Sequence, residues 1–398
     1  MLFLTYWFVF FIVALYPIYW FCPVPAFRRL VLLASSLVFH AHFAGPAGVI
    51  PIAILGTFVY LAGATRWRGP CYAGIAASCL SLIYYKYCTF ICTQVLVSVW
   101  PGAAGYVEAH AQGLRAITAP LAISFFVFEF VHYLIDVCRG DRAIRNPFDF
   151  ALFTVFWPSI VAGPVKRYQH FFAALQCGTE GVNSQDVAVG LVRVAIGLVK
   201  KFAADNLTSW IAYSAPLYTG MTVLDRWQFL GLLALRILWD FSGYSDMAIG
   251  FARMFGIRLP ANFCWPYLAG SVTSFWRRWH ISLSLWIRDY IYFALGGSRR
   301  GVVRKVFNGL LAFAICGLWH GAGWNFLLWG LYHGVGIAVA STYRDALGPL
   351  GRGIGFAFDR VPFVGWVLTL GFVSIGWLLF FYPAPEAMKM ARLLFVKV

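Results

Sequence analysis

Charge is scarce in this sequence. Only 12% of its 398 residues are Asp, Glu, Lys or Arg, against 61% hydrophobic. A soluble domain carries about 25% charged and about 45–50% apolar residues. Too little charge remains to clothe a water-facing surface, which excludes an ordinary soluble enzyme, a disordered chain and a secreted disulfide scaffold. Acidic residues are the scarcest: 15, against 31 Lys and Arg, for a net charge of +16. On a soluble protein that excess would point to nucleic acid. In an apolar chain, basic residues gather in cytoplasmic loops and meet anionic lipid head groups, so membrane lipid is the expected partner and nucleic acid is not. A basic cytosolic face also suits a phosphorylated donor such as a coenzyme A thioester, although charge alone does not select one.

Paired cysteines are missing too. The nine cysteines form no CxxC. Cys88 and Cys92 are one helical turn apart, but no His or second Cys pair lies near them in sequence. Buried thiols are expected, with no metal site and no disulfide framework. There is no P-loop, no GxGxxG after a strand, no GxSxG and no HExxH, so the chain resembles neither an ATP-driven pump nor an HExxH metalloprotease. No alternating ten-residue pattern of a β-barrel appears. The N-terminus lacks the basic region and cleavage site of a signal peptide, and Leu2–Phe21 reads as a retained first span.

What is present is a series of continuous apolar runs. A spanning helix needs about 20 apolar residues, and 398 residues allow about ten to thirteen spanning or re-entrant helices. The fold class is all-α and polytopic, with residues 1–398 read as one integral domain. Arg28 and Arg29 follow the first span and no Lys or Arg precedes it, which puts the N-terminus outside. Leu30–Phe43 and Val49–Ala64 read as a hairpin turning at Gly45-Pro46. Further runs lie at Cys71–Tyr85, Phe90–Trp100, Ile117–Ile135, Phe150–Val161, Val187–Ala204, Phe229–Ile249, Val306–Trp319, Phe326–Ala340 and Val364–Phe381. Asp136–Asp149, with Arg139, Arg142 and Arg145, reads as a cytoplasmic loop, and Gln176–Asp186 as a polar linker.

Four constellations interrupt these runs. In the first, Trp319, His320, Gly321, Gly323, Trp324 and Asn325 follow one another closely. A helix from Lys305 to His320 rises about 22 Å, which leaves the imidazole inside a hydrocarbon core about 30 Å thick. An ionisable residue there is a functional candidate by default, and a neutral imidazole is a natural general base near pH 7. The competing reading is a structural histidine bonded between helices. His333, thirteen residues on, would point to another face of a straight helix.

The second constellation runs from Ser274 to Tyr290 and holds Trp276, Arg277, Arg278, His280, Ser282, Ser284 and Arg288. Trp276, Trp279 and Leu283 follow helical spacing, as do His280 and Ser284, which predicts an amphipathic interfacial helix. It serves either as an aromatic and basic anchor or as a second polar histidine beside arginines that contact an acidic donor. The third sets Asp240, Ser242, Tyr244 and Asp246 in an apolar run, where the carboxylates must face a cavity or find partners such as Arg236 or Arg253. A structural salt bridge and a substrate contact are both open there. In the fourth, Pro158 and Pro164 break a helix ahead of Lys166 and Arg167, as a loop ending in a basic anchor would.

Five ordered blocks resemble the membrane-bound O-acyltransferase family, in the bacterial branch that includes the membrane subunit of alginate O-acetyltransferase. They are Ile123-Ser-Phe-Phe with Tyr133–Asp136, Val161–Pro164 with Arg167-Tyr168, Asp240–Gly250, Phe275–Ser284 with Arg288–Tyr290, and Gly317–Trp324. They cover roughly Ile123 to Gly334. The resemblance implies a ring of tilted helices around a central tunnel. It also implies acyl transfer from a cytosolic donor to an acceptor at the outer face. The family's catalytic histidine maps onto His320 and its second motif histidine onto His280. Asp240, Ser242, Tyr244, Asp246, Trp276, Arg277, Arg278, Ser282, Arg288, Trp319, Trp324 and Asn325 are candidates for binding substrate or lining the tunnel.

The expected function is O-acetyl transfer in the bacterial inner membrane. Acetyl-CoA would be the donor, with no permanently bound cofactor. A periplasmic acetyltransferase partner would pass the group to an exopolysaccharide or cell-wall glycan. The alternatives are D-alanyl transfer to teichoic acid on the same fold, and a transporter or flippase with His320 and Asp240 in a proton relay.

Overall fold

The computed structural model describes residues 2–21, 23–181 and 183–396, with Arg115 described by its backbone alone. Cys22, and Val182 of the expected linker, lie outside them. The described residues form helices and no strand. Among the described residues, four helices are long and apolar enough to cross a membrane: Pro25–Thr65, Arg68–Val99, Gly301–His320 and Pro362–Phe381, with Tyr6–Phe21 a shorter apolar helix. The chain forms two compact units, residues 1–196 with 245–260 and residues 197–244 with 261–398.

In the first unit, Pro25–Thr65 has 41 residues and would be about 60 Å long if straight, twice a hydrocarbon core. Gly45, at φ 64° and ψ 177°, breaks it where the hairpin turn is expected, leaving two arms of spanning length. Only glycine takes that conformation freely. The expected runs Cys71–Tyr85 and Phe90–Trp100 are instead one helical stretch, Arg68–Val99, widened at Ile83–Tyr87 and Ile91–Leu96. The expected linker is shorter than its polarity suggests: helix Tyr168–Glu180 runs through its first half. Thr179 anchors that end, its hydroxyl donating to Leu175 O at 2.9 Å and its carbonyl accepting from buried Arg28 at 2.9 Å.

The core of this unit is aromatic: Trp157 sits among Phe3, Phe8, Phe11, Phe39, Phe251 and Phe255. A buried Lys166–Glu129 ion pair ties the proline-broken loop to helix Ile123–Cys138. At the polar edge, Asp186 is clasped by Arg253 and Arg258 at 2.8 and 3.0 Å. Burial raises its pKa, but hydrogen bonds and charge from Arg258 and Arg253 outweigh that and hold it below the ordinary carboxylate value.

In the second unit, Gly301–His320, Trp324–Ala346, Gly348–Arg360, Pro362–Phe381 and Ala384–Leu393 follow one another through short connections. Arg226 is fully buried and has no carboxylate partner among the described residues. Its guanidinium donates to the carbonyls of Tyr218, Thr219, Leu393 and Val396 at 2.7–3.1 Å. Those oxygens include the open C-terminal end of Ala384–Leu393, where a cation is favoured. Arg226→Leu should strand four carbonyls and lower the melting temperature of the detergent-solubilised protein. Each charged hydrogen bond is worth about 1.5–3 kcal/mol, so a melting temperature equal to wild type would remove the clasp from the account.

Candidate active site

Helix Gly301–His320 begins among Arg299, Arg300, Arg304 and Lys305 and then turns apolar. It ends on His320, as expected, because Gly321 is extended and the next helix starts only at Trp324. The two helices touch backbone to backbone. A Cβ on Gly317 would sit 2.1 Å from Phe326 O, and one on Gly330 would sit 2.2 Å from Phe313 O. This contact brings Trp329 against His320, with ring centroids 5.1 Å apart and planes nearly perpendicular. Trp319 at 4.9 Å and Phe380 at 5.3 Å complete an aromatic wall around a half-buried imidazole.

The segment carrying His280 is not one amphipathic helix, which corrects the sequence expectation. Val272–Trp276 ends, the chain turns, and His280 takes a left-handed conformation (φ 42°, ψ 54°) ahead of Ile281–Ile287. The reason is a pairing with an earlier stretch. Cys264 N–H donates to Arg278 O and Ile281 N–H to Asn262 O, both at 2.9 Å. Such a conformation in a non-glycine residue costs about 1–3 kcal/mol and clusters at functional sites. The His280 ring is buried 4.6 Å from Phe241 and 6.5 Å from His320 between centroids. Its Nδ1 lies 3.1 Å from Asn262 Oδ1. The Ser282 backbone N–H and hydroxyl reach the same oxygen at 3.3 and 2.9 Å.

A cavity of about 520 Å³ lies between the elements that carry these histidines, lined by neither imidazole but by Ile281, next to His280, and by Cys316, one turn before His320. Lys305, Gly309, Ala312 and Cys316 line it from the His320 helix, and Trp276, Arg277, Ser284 and Arg288 from the His280 segment. Three of the lining residues, Arg277, Arg288 and Lys305, are cations. Cys316, the lining residue farthest along the helix, is one turn short of His320. Lys305 donates to Ser341 O at 3.0 Å, and Arg288 pairs with Asp289 at 2.7 Å.

The second unit thus gathers His280, His320, Trp276, Arg277, Ser282, Arg288 and Trp319. Arg278 contributes its carbonyl to the pairing above. Trp324 is half-exposed at the start of its helix, and the Asn325 amide donates to Leu379 O at 3.2 Å. Asp240 is paired with Lys201 at 2.7 Å, not with Arg236, which donates to Thr208 and covers the Phe381 ring. Ser242 and Tyr244 are buried on the same helix. Asp246 belongs to the first unit and pairs with Arg193 at 2.9 Å rather than with Arg253, which binds Asp186.

Sequence reasoning missed Asn262, Trp329 and His333. His333 is fully buried, 5.0 Å from Trp329, and its Nδ1 accepts from the Trp276 indole N–H at 3.3 Å. The break at Gly321–Gly323 defeats the straight-helix argument that set His333 aside. Asn262 follows a proline by two residues, and nothing in the eighteen-residue spacing to His280 announces a contact.

Residues 111–383 match the family model of the membrane-bound O-acyltransferases. The chain is 36% identical over 370 residues to a probable alginate O-acetylase AlgI of Azotobacter vinelandii, covering 89% of this chain and 70% of that protein. It is 30% identical over 393 residues to the peptidoglycan O-acetyltransferase of Helicobacter pylori (89% and 71%). It is 29% identical over 250 residues to the teichoic acid D-alanyltransferase of Bacillus subtilis (60% and 63%).

Proposed function

The chain belongs to the membrane-bound O-acyltransferase family, and on that premise we propose that it moves an acetyl group from cytosolic acetyl-CoA to a hydroxyl of a glycan or of a periplasmic partner that acetylates one, in the bacterial inner membrane. The observation that carries this reading is the apolar cavity with Arg277, Arg288 and Lys305 on its wall, whose lining along the His320 helix reaches Cys316, one turn before His320. Guanidinium and ammonium groups suit the phosphates of the donor. From Lys305 to Cys316 the helix rises about 16 Å, which suits a long, slender arm carrying a thioester.

His320 acts as general base. It takes the proton of the acceptor hydroxyl, the oxygen forms a bond to the acyl carbon, the C–S bond breaks, and the thiolate leaves with that proton. Aromatic side chains around the ring exclude water, which would otherwise accept the acyl group. His280 orients the acceptor. Asp240 and Asp246, each held by a cation, serve the structure rather than the chemistry.

Similarity to a D-alanyltransferase supports a second reading, in which the same cavity takes the thioester arm of a carrier protein. Purified protein in liposomes should release CoA from labelled acetyl-CoA and leave a D-alanyl carrier thioester intact. Arg277→Ala with Arg288→Ala should raise the KM for acetyl-CoA about tenfold or more, with a smaller change in kcat. Turnover of the carrier thioester alone would exchange the two readings. An unchanged KM would remove the cations from the donor site.

A further inference from the structure

We propose that Asn262 fixes His280 as a hydrogen-bond acceptor, so that the site takes an acceptor with two neighbouring hydroxyls, a carbohydrate diol, in preference to an isolated hydroxyl. The proposal rests on the acyl-transfer reading above and narrows its acceptor.

The backbone N–H of Ser282 can only donate, so the Asn262 atom it meets is the carbonyl oxygen. The Ser282 hydroxyl and His280 Nδ1 converge on that same oxygen. Nδ1 therefore carries the ring hydrogen. A neutral imidazole has one N–H, which leaves the lone pair on Nε2. That nitrogen is buried and has no hydrogen-bond partner among the described residues. Buried polar atoms in folded proteins are almost always bonded, and each exception needs an explanation.

A lone pair cannot stabilise the negative carbonyl oxygen of an acyl-transfer intermediate, because that task needs a donor. Nε2 can instead hold a hydroxyl. His320, as the base, also needs a hydroxyl hydrogen directed at it. The two imidazoles cannot satisfy one another: their centroids are 6.5 Å apart, whereas directly bonded imidazoles bring theirs within about 5 Å. One hydroxyl has one hydrogen and can serve only one of the two rings. Neighbouring hydroxyls on a sugar ring supply both. The reacting hydroxyl gives its proton to His320 and forms the new C–O bond. The C–S bond of the donor breaks, and the thiolate leaves with that proton. The second hydroxyl stays bonded to His280 Nε2 throughout. Asn262 is thus a positioning residue, and the left-handed backbone at His280 presents the ring to it.

The test uses the full-length protein in liposomes with acetyl-CoA. The acceptors are a methyl hexopyranoside with free vicinal hydroxyls, its monodeoxy counterpart and N-acetylserinamide. Wild type should favour the diol in kcat/KM by about tenfold, the worth of one hydrogen bond. Asn262→Leu and His280→Leu should each bring the diol down to the rate of the monodeoxy sugar. Asn262→Leu should cost nothing more in the His280→Leu background. His280→Gln, which keeps an acceptor oxygen, should retain part of the preference. Equal use of diol and monodeoxy sugar by wild type, or preference for the serine amide, overturns the proposal, and that comparison needs no variant to fold. Additive losses in the double variant would overturn the role of Asn262. Absence of CoA release with every acceptor is a separate outcome, which overturns the acyl-transfer reading itself.

Discussion

Alanine at position 320 is expected to reduce acyl transfer by about 10²–10⁴-fold, the usual contribution of a positioned general base. The protein should nevertheless reach the membrane and melt near the wild-type temperature. His320 ends its helix and is half-buried, and the ring contacts that shape its surroundings largely survive without it. Trp329 still meets His333, Trp377 and Phe380. If His320 were a structural link between helices, its removal would act through stability, and rate and melting temperature would fall together. CoA release and acetyl transfer should be measured on the same liposomes as the melting curve. A folded His320→Ala protein with wild-type turnover would end its assignment as base.

Much of this site is legible in the sequence because the signal is local. A histidine followed by Gly321 and Gly323, about 22 Å along an apolar helix from a basic edge, can be placed by arithmetic alone. The kink at Gly45-Pro46 is legible for the same reason. His280 is legible as a candidate but not in its setting. Helical spacing of Trp276, Trp279 and Leu283 predicts continuity, yet two backbone bonds to residues 262 and 264 turn the chain back. Asn262 and Trp329 matter through contacts that no periodicity encodes. The partners of Asp240 and Asp246 escaped for a related reason. An aspartate in an apolar helix announces that it needs a cation, and several arginines nearby in sequence could answer. Only the packing of helices selects Lys201 and Arg193.

A side chain at Gly317 or Gly330 is expected to be as damaging as loss of the histidine, by a different route. Real Cβ atoms essentially never approach a neighbour closer than 3.0 Å, yet Cβ atoms here would lie 2.1 and 2.2 Å from carbonyl oxygens of the facing helix. Both obstacles are backbone, so no side chain can swing aside to make room. Helices Gly301–His320 and Trp324–Ala346 would have to separate by about an ångström, and overpacking of this kind costs about 1–3 kcal/mol or more. The catalytic consequence follows from what that contact sets. Gly317 is three residues before His320, and Gly330 adjoins Trp329, so separation moves the imidazole away from its aromatic wall. A displacement of about 1 Å can cost about 10²-fold in rate. Gly330→Ala should therefore lower both the melting temperature and kcat, and Gly330→Val should leave little folded protein. Gly371, inside helix Pro362–Phe381 with no atom within 4 Å of an added Cβ, supplies the control. Gly371→Ala should be neutral or stabilising by about 0.5–1 kcal/mol, because alanine loses less backbone entropy in a helix. If Gly330→Ala behaved like Gly371→Ala, the two helices would not be in backbone contact in the membrane, and the placement of Trp329 against His320 would have to be abandoned.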